Sequence, residues 1–120
     1  MKDNFKQLIL VNIKEGMIFK NPRKGTSTIT KVTPEYITYM RGHSYITIKL
    51  DVLYTTYKRF SGSICSTLDL KKYDESVFSS KQNGHDCNCT FFFTILCYLK
   101  LSSEIKGNGV RGNPFYVNIE

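Results

Sequence analysis

The stretch TSTITKVTPEYITYMRGHSYITIK, residues 26–49, decides the fold of this chain. Residues 26–33 set Ile29 and Val32 among threonines and Lys31, a β-branched run suited to a pleated surface. Thr33-Pro34-Glu35 interrupts the run. Two more strand candidates follow, residues 36–41 and 45–49, joined by Gly42-His43-Ser44. Short connections between successive strands imply an antiparallel meander. Upstream, Asn21-Pro22-Arg23-Lys24-Gly25 is turn chemistry, proline presetting φ and glycine permitting φ > 0, and residues 16–20 form a short apolar run. Downstream the period changes. Leu50, Leu53, Tyr54, Tyr57 and Phe60 lie on one face of an amphipathic helix, with Lys58 and Arg59 in its last turn, where cations favour the helix dipole. The first half therefore reads as β-structure followed by one helix.

Beyond Ser61-Gly62-Ser63 the pattern is mixed. Ile64-Cys65 reads as a very short strand, and Ser66-Thr67-Leu68-Asp69 resembles a capping box that opens a short helix through Lys72, with Asp in place of the usual Glu. Residues 73–85 read as loop. Asn88 or Asp86 caps a helix running to about Leu101, with Phe92, Ile95, Leu96 and Leu99 on one face. Residues 105–119 read as a hairpin, a Gly107-Asn108-Gly109 turn preceding an alternating final strand.

The chain has 120 residues, which suits one domain, the usual core spanning ~100–150. That length excludes a doubly wound dinucleotide-binding sheet or an eight-stranded α/β barrel. With 41% hydrophobic residues the chain can bury a core without a disulfide or metal staple, and 13% aromatics argue against disorder. The run Leu8-Ile9-Leu10-Val11 falls short of the ~7–15 apolar residues of a signal peptide, and residues 91–101, interrupted by Lys100, fall short of the ~20 of a membrane span. A soluble cytoplasmic protein is expected, with no membrane partner and with its four cysteines as free thiols. The net charge is +7. Residues 1–60 carry eleven basic and four acidic side chains, whereas residues 61–120 carry six of each, so the whole excess sits in the first half. A charge so distributed suggests a polyanionic partner.

The order helix, short strand, helix, helix, hairpin in residues 50–119, with its Gly-rich hairpin at residues 106–117, resembles a winged-helix domain. That resemblance implies duplex DNA binding through the third helix and the wing, with Thr90, Thr94 and Lys100 facing DNA and Arg111 near the wing tip reaching a phosphate or the minor groove. The spacing between the second and third helices, some 15 residues, departs from the tight turn usual in such motifs.

A second surface is read from the residues themselves. Lys20, Arg23, Lys24, Lys31, Arg41, His43, Lys49, Lys58 and Arg59 are numerous enough to form a stripe, with hydroxyls at Thr26, Ser27, Thr28, Thr30 and Ser44 for phosphate oxygens. Tyr36, Tyr39 and Tyr45 would stack on unpaired bases if they lay on its exposed face. The bland alternative is a solvated sheet with tyrosines in the core; the charge asymmetry favours the nucleic-acid reading.

His85-Asp86-Cys87-Asn88-Cys89 is chemically suggestive but falls short of a metal site. His85, Cys87 and Cys89 supply three zinc ligand types, and Cys65 or His43 a fourth, whereas Cys97 lies eight helical residues past Cys89, ~12 Å along the axis. Without a distant Cys-x-x-Cys the preferred reading is capping residues with small buried thiols, and no metal or other cofactor is expected. The same segment admits Cys89 as a nucleophile with His85 as base, but no orienting partner is identifiable. Glu35, Asp51 and Asp69 show no nuclease spacing and read as structural or capping carboxylates. Gly107-Asn108-Gly109-Val110-Arg111-Gly112 lacks the Lys-Ser/Thr of a phosphate loop.

The expectation is a single α+β domain over residues 1–120: an N-terminal antiparallel β-sheet in a basic half, 1–60, then a winged-helix-like helical half, 61–120, closed by a C-terminal β-hairpin. Its expected role is non-catalytic binding of nucleic acid, duplex DNA preferred, in transcription control or a defence system. The alternative is a small phage or mobile-element protein that binds and inhibits a host protein partner.

Overall fold

Residues 2–120 are described by a computed structural model, and the first of them form an element absent from the sequence reading, helix α1, Lys2–Asn12. Phe5 and Ile9 are buried one turn apart, and Ile13 continues their line past the helix end. The contiguous run Leu8-Ile9-Leu10-Val11 hides that periodicity, because Val11 stays 58% exposed. The partner of α1 lies far along the chain. Phe5 stacks on Tyr57 at a centroid distance of 5.3 Å and tilts against Tyr54 at 5.6 Å. Lys6 and Lys2 reach Asp51 at 2.7 and 3.1 Å and hold its carboxyl below the ordinary carboxylate range.

Strands β1 (Ile18–Lys20), β2 (Thr26–Val32), β3 (Tyr36–Arg41) and β4 (Ser44–Lys49) form one antiparallel sheet in the order β1-β2-β3-β4, the expected meander. Helix α2, Leu50–Phe60, begins directly from β4, its first amide donating to the Glu35 carbonyl at 2.9 Å. One face of the sheet carries Ile29, Tyr39 and Ile46 in register, then Val32, Ile37 and Ile48. Except for half-buried Val32, these are buried, as are Leu50 and Leu53 of α2.

A bulge in β2 determines what each face presents. Ile29 pairs with Tyr39 and Lys31 with Thr38, so Thr30 is the extra residue. Strict alternation would send Val32 outward and Lys31 inward; the inserted residue reverses both. Ile29 and Val32, three positions apart, thereby share the apolar face.

The chain divides into two compact units, one ending at Arg59 and the other spanning Phe60–Glu120. In the second, β5 (Ile64–Ser66) pairs antiparallel with β6 (Tyr116–Asn118). Helix α3, Thr67–Tyr73, opens with the capping box read from sequence: the Asp69 amide donates to Ser66 Oγ at 3.2 Å and the Ser66 amide to Asp69 Oδ2 at 2.9 Å. The stretch expected to be loop is partly helical, containing α4, Glu75–Phe78, and a 3₁₀ turn, Ser80–Gln82. Phe78, wholly buried and edge-on to Phe92 at 6.2 Å, anchors it. Helix α5, Cys87–Tyr98, buries Asn88, Cys89, Phe91, Phe92, Phe93, Ile95 and Leu96, far more than the single stripe expected. It stops before Leu101 because Lys100 turns into the left-handed region at φ 62. Asp86 stands at its N-cap position but accepts from the Ser80 amide at 2.8 Å instead of capping the helix.

The C-terminal hairpin is short. Lys106 and Tyr116 exchange backbone hydrogen bonds at 2.8 and 2.9 Å, and Val110 bridges Asn113 at its tip. The chain is thus α+β: a four-stranded antiparallel sheet, then helices and this hairpin. Among the described residues no helix is long and apolar enough to cross a membrane.

Candidate nucleic-acid interface

Register determines which of the expected cationic residues converge. On the face of the sheet opposite its apolar side, one row across the strands is Ile18, Thr28, Met40 and Tyr45. On one side of it lie Lys20 and Thr26; on the other come Lys31, Thr38 and Thr47, then Tyr36 and Lys49. Lys20 and Lys49 therefore occupy opposite corners, three two-residue steps apart along the strands, ~20 Å at the usual rise. Lys31 lies between them. All three lysines are exposed. Arg23 and Lys24, in the loop between β1 and β2, are exposed as well. Asn21 shapes that loop: its Nδ2 donates to the Lys24 carbonyl at 3.1 Å, and its Oδ1 accepts from Ser27 Oγ at 2.6 Å.

Arg41 does not join this stripe. It pairs with Ser27 and Ser44, one register step from the exposed row, and so faces the other side of the sheet. There its Nε donates to Ser27 Oγ at 3.0 Å, and its guanidinium lies 5.8 Å from the centroid of the Tyr39 ring. An arginine held over a buried ring this way is a structural cation. The expected hydroxyls divide likewise. Thr26, Thr28 and, beside the bulge, Thr30 belong to the cationic side; Ser27 is buried and Ser44 lies on the Arg41 row. Thr38 and Thr47, not singled out from sequence, couple their hydroxyls at 2.8 Å in the middle of the exposed face.

The tyrosines separate by the same rule. Tyr39 is wholly buried, which removes it from any stacking role. Tyr45 is 68% exposed, and Tyr36 is half-exposed with the Lys31 ammonium 5.9 Å from its centroid. Sequence reasoning also missed Met40, the neighbour of Tyr45 in its row, and Ile18, 66% exposed at the other end of that row. Alternation around inward-facing Phe19 and Tyr39 was the available signal, obscured by treating residues 16–20 as one apolar run.

Of the other expected contacts, His43 is exposed in the β3–β4 turn, and Lys58 and Arg59 are exposed at the end of α2, Lys58 lying 5.9 Å from the Tyr54 ring centroid. In the second unit, Lys100 follows α5 and Arg111 is exposed at the hairpin tip. Thr90 and Thr94 lie on the half-exposed stripe of α5 with Cys87, Cys97 and Tyr98, which carries no charge. Thr94 uses its hydroxyl on the Thr90 carbonyl at 2.8 Å.

The Cys-Asn-Cys segment turns inward. Cys89 is 1% exposed, and its thiol lies 3.5 Å from the Phe78 carbonyl and 3.9 Å from that of Thr67. Burial pushes the thiol pKa up to about 12, so Cys89 keeps its proton at neutral pH, the reverse of what a nucleophile requires. Exposed His85 donates its backbone amide to the Val77 carbonyl at 2.9 Å, and buried Asn88 donates its side-chain amide to the same oxygen at 3.0 Å. Among the described residues no three His, Cys, Asp or Glu side chains gather as a metal-binding group. The chain matches no protein family, no curated protein and no solved structure.

Proposed function

We propose that this protein binds nucleic acid without catalysing a reaction on it, and that the outward face of the β1–β4 sheet is the main contact surface. The observation that carries the reading is that Lys20, Lys31 and Lys49 line one face of the sheet from corner to corner, with the Arg23-Lys24 loop at one end, in the half of the chain holding the entire excess charge. Exposed lysines release condensed counterions on meeting phosphates, which gives affinity without sequence information. The threonines between them add neutral hydrogen-bonding groups. In the second unit, Arg111 and Lys100 supply the cations that a winged-helix reading assigns to wing and helix end. The buried faces and uncharged stripe of α5 leave the sheet as the stronger candidate.

The test is fluorescence anisotropy with a mixed-sequence 20-base-pair duplex and its matching single strand, at low and moderate salt. Micromolar binding that weakens steeply with salt is expected. Changing Lys20, Lys31 and Lys49 together to Gln is expected to lower the log–log salt slope by about 2, since each phosphate contact contributes ~0.7–0.9. Absence of binding to both probes at low salt would overturn the proposal.

A further inference from the structure

We infer that the outward sheet face takes an unpaired nucleic-acid strand, its bases stacking on Tyr45 and Tyr36 while its phosphates meet Lys20, Lys31 and Lys49. The inference rests on the nucleic-acid reading above and names the form of nucleic acid that this face suits. Tyr45 leaves two-thirds of its surface in water beside Met40, its cross-strand partner, and the same row ends on the opposite edge strand at Ile18, 66% exposed, with Thr28 between. This is an aromatic and apolar platform set among cations. Phosphates alone give such a platform nothing to bury, whereas unpaired bases present flat π-faces to it. A duplex keeps its base faces stacked inside, and its major groove, ~12 Å wide, admits a helix or a two-stranded ribbon but not the face of a four-stranded sheet.

The spacing suits a short strand. Tyr36 lies four residues along β3 from Met40, the residue opposite Tyr45. That separation is ~13 Å at the usual strand rise, matching about four nucleotides at 3.4 Å each in a stacked strand. The path between the rings crosses Thr38 and Thr47, bordered by Lys31 on β2 and Lys49 on β4, and Lys20 stands at the far corner on β1, where a longer strand reaches it. Lys31 covers the Tyr36 ring in the free protein and exchanges that ring for a phosphate when a base arrives. Tyr45 is therefore the stronger stacking position.

The experiment uses the full chain with 20-nucleotide DNA and RNA single strands and the corresponding DNA duplex, at one fixed moderate salt concentration. Single strands are expected to bind at least about tenfold tighter than duplex. Tyr45→Ala is expected to weaken single-strand binding about tenfold, Tyr36→Ala less, and Tyr45→Phe hardly at all, because alanine removes the stacking face and phenylalanine keeps it. The salt slope stays unchanged in all three. Equal or tighter duplex binding, or an equal loss on both probes with Tyr45→Ala, overturns the inference while leaving the nucleic-acid reading in place. No binding to any probe overturns both. A preference between DNA and RNA would identify the sugar that the surface favours, and either strand binding tighter than duplex supports the inference.

Discussion

Gly107→Ala is expected to destabilise the second unit by roughly 3–4 kcal/mol, read as a lower urea midpoint at unchanged m-value. Two costs combine. Gly107 has φ +83, and a side chain there costs ~1–2 kcal/mol in the left-handed region. An added Cβ would also collide with the Pro114 carbonyl oxygen and come within 2.9 Å of its carbon and 3.3 Å of Phe115 Cα. These are backbone atoms, so no rotamer change relieves the collision. The strands of the hairpin must separate, which threatens the paired Lys106–Tyr116 hydrogen bonds, worth ~1 kcal/mol each. The segment that moves leads directly into β6, where Val117 is buried, with Ile119 just beyond it. Gly112 provides the control: its φ is +84, but nothing lies within 4 Å of the corresponding Cβ. Gly112→Ala should cost only the conformational share, ~1–2 kcal/mol. Equal losses for the two variants would show that the collision is relieved elsewhere and that the hairpin is not rigid at this point.

Alkaline pH is expected to destabilise the protein through Cys89. The pKa of its thiol rises from an ordinary 9.0 to about 12, first because burial penalises the thiolate. Below pH 9 both the folded and unfolded states keep this proton, and the group adds no pH dependence. Between 9 and 12 the unfolded chain releases the proton while the folded chain retains it, so the unfolded state binds fewer protons and stability falls as pH rises. The loss is on the order of 1 kcal/mol per pH unit and on the order of 4 kcal/mol across the window. Tyrosines and lysines also titrate there, so Cys89→Ala is the reference. It carries a small cavity cost at every pH but lacks this thiol. Between pH 7 and 10.5 the unmodified protein should lose about 2 kcal/mol more than Cys89→Ala in urea titrations. Parallel stability profiles would show that Cys89 ionises as readily in the fold as in the unfolded chain.

Cys89, read from sequence as a small buried thiol and buried in the fold, also shows why the components of a site lying close in sequence need not make one. A cysteine near a helix N-terminus, four residues after a histidine, has the components of an activated thiol. The dipole argument depends on the thiol facing solvent or an acceptor, and in this fold it faces the Thr67 and Phe78 carbonyls in the core. The triple Phe91-Phe92-Phe93 was the available warning, because all three rings being wholly buried leaves α5 only a narrow outward stripe. Helix α1 was missed for a related reason. Its tethers, Tyr54, Tyr57 and Asp51, lie some fifty residues away, and no local pattern announces them.

The sequence by itself determined the meander, α2, the capping box at Ser66, the C-terminal hairpin and the concentration of charge in the first sixty residues. Each depends on local physics: β-branched alternation, a 3.6-residue apolar period, reciprocal hydrogen bonds three residues apart, turn glycines and composition. Only the tertiary structure decided which cations and rings share a surface. The one-residue bulge at Thr30 sends Lys31 outward and Val32 toward the core, while register puts Arg41 and Tyr39 on the inner side of the sheet and Tyr45 on the outer. A strand's side chains alternate with a period of two, so one inserted residue reverses every face beyond it. That parity is set by pairing with a neighbouring strand, and so the candidate interface became legible only once the strands were paired.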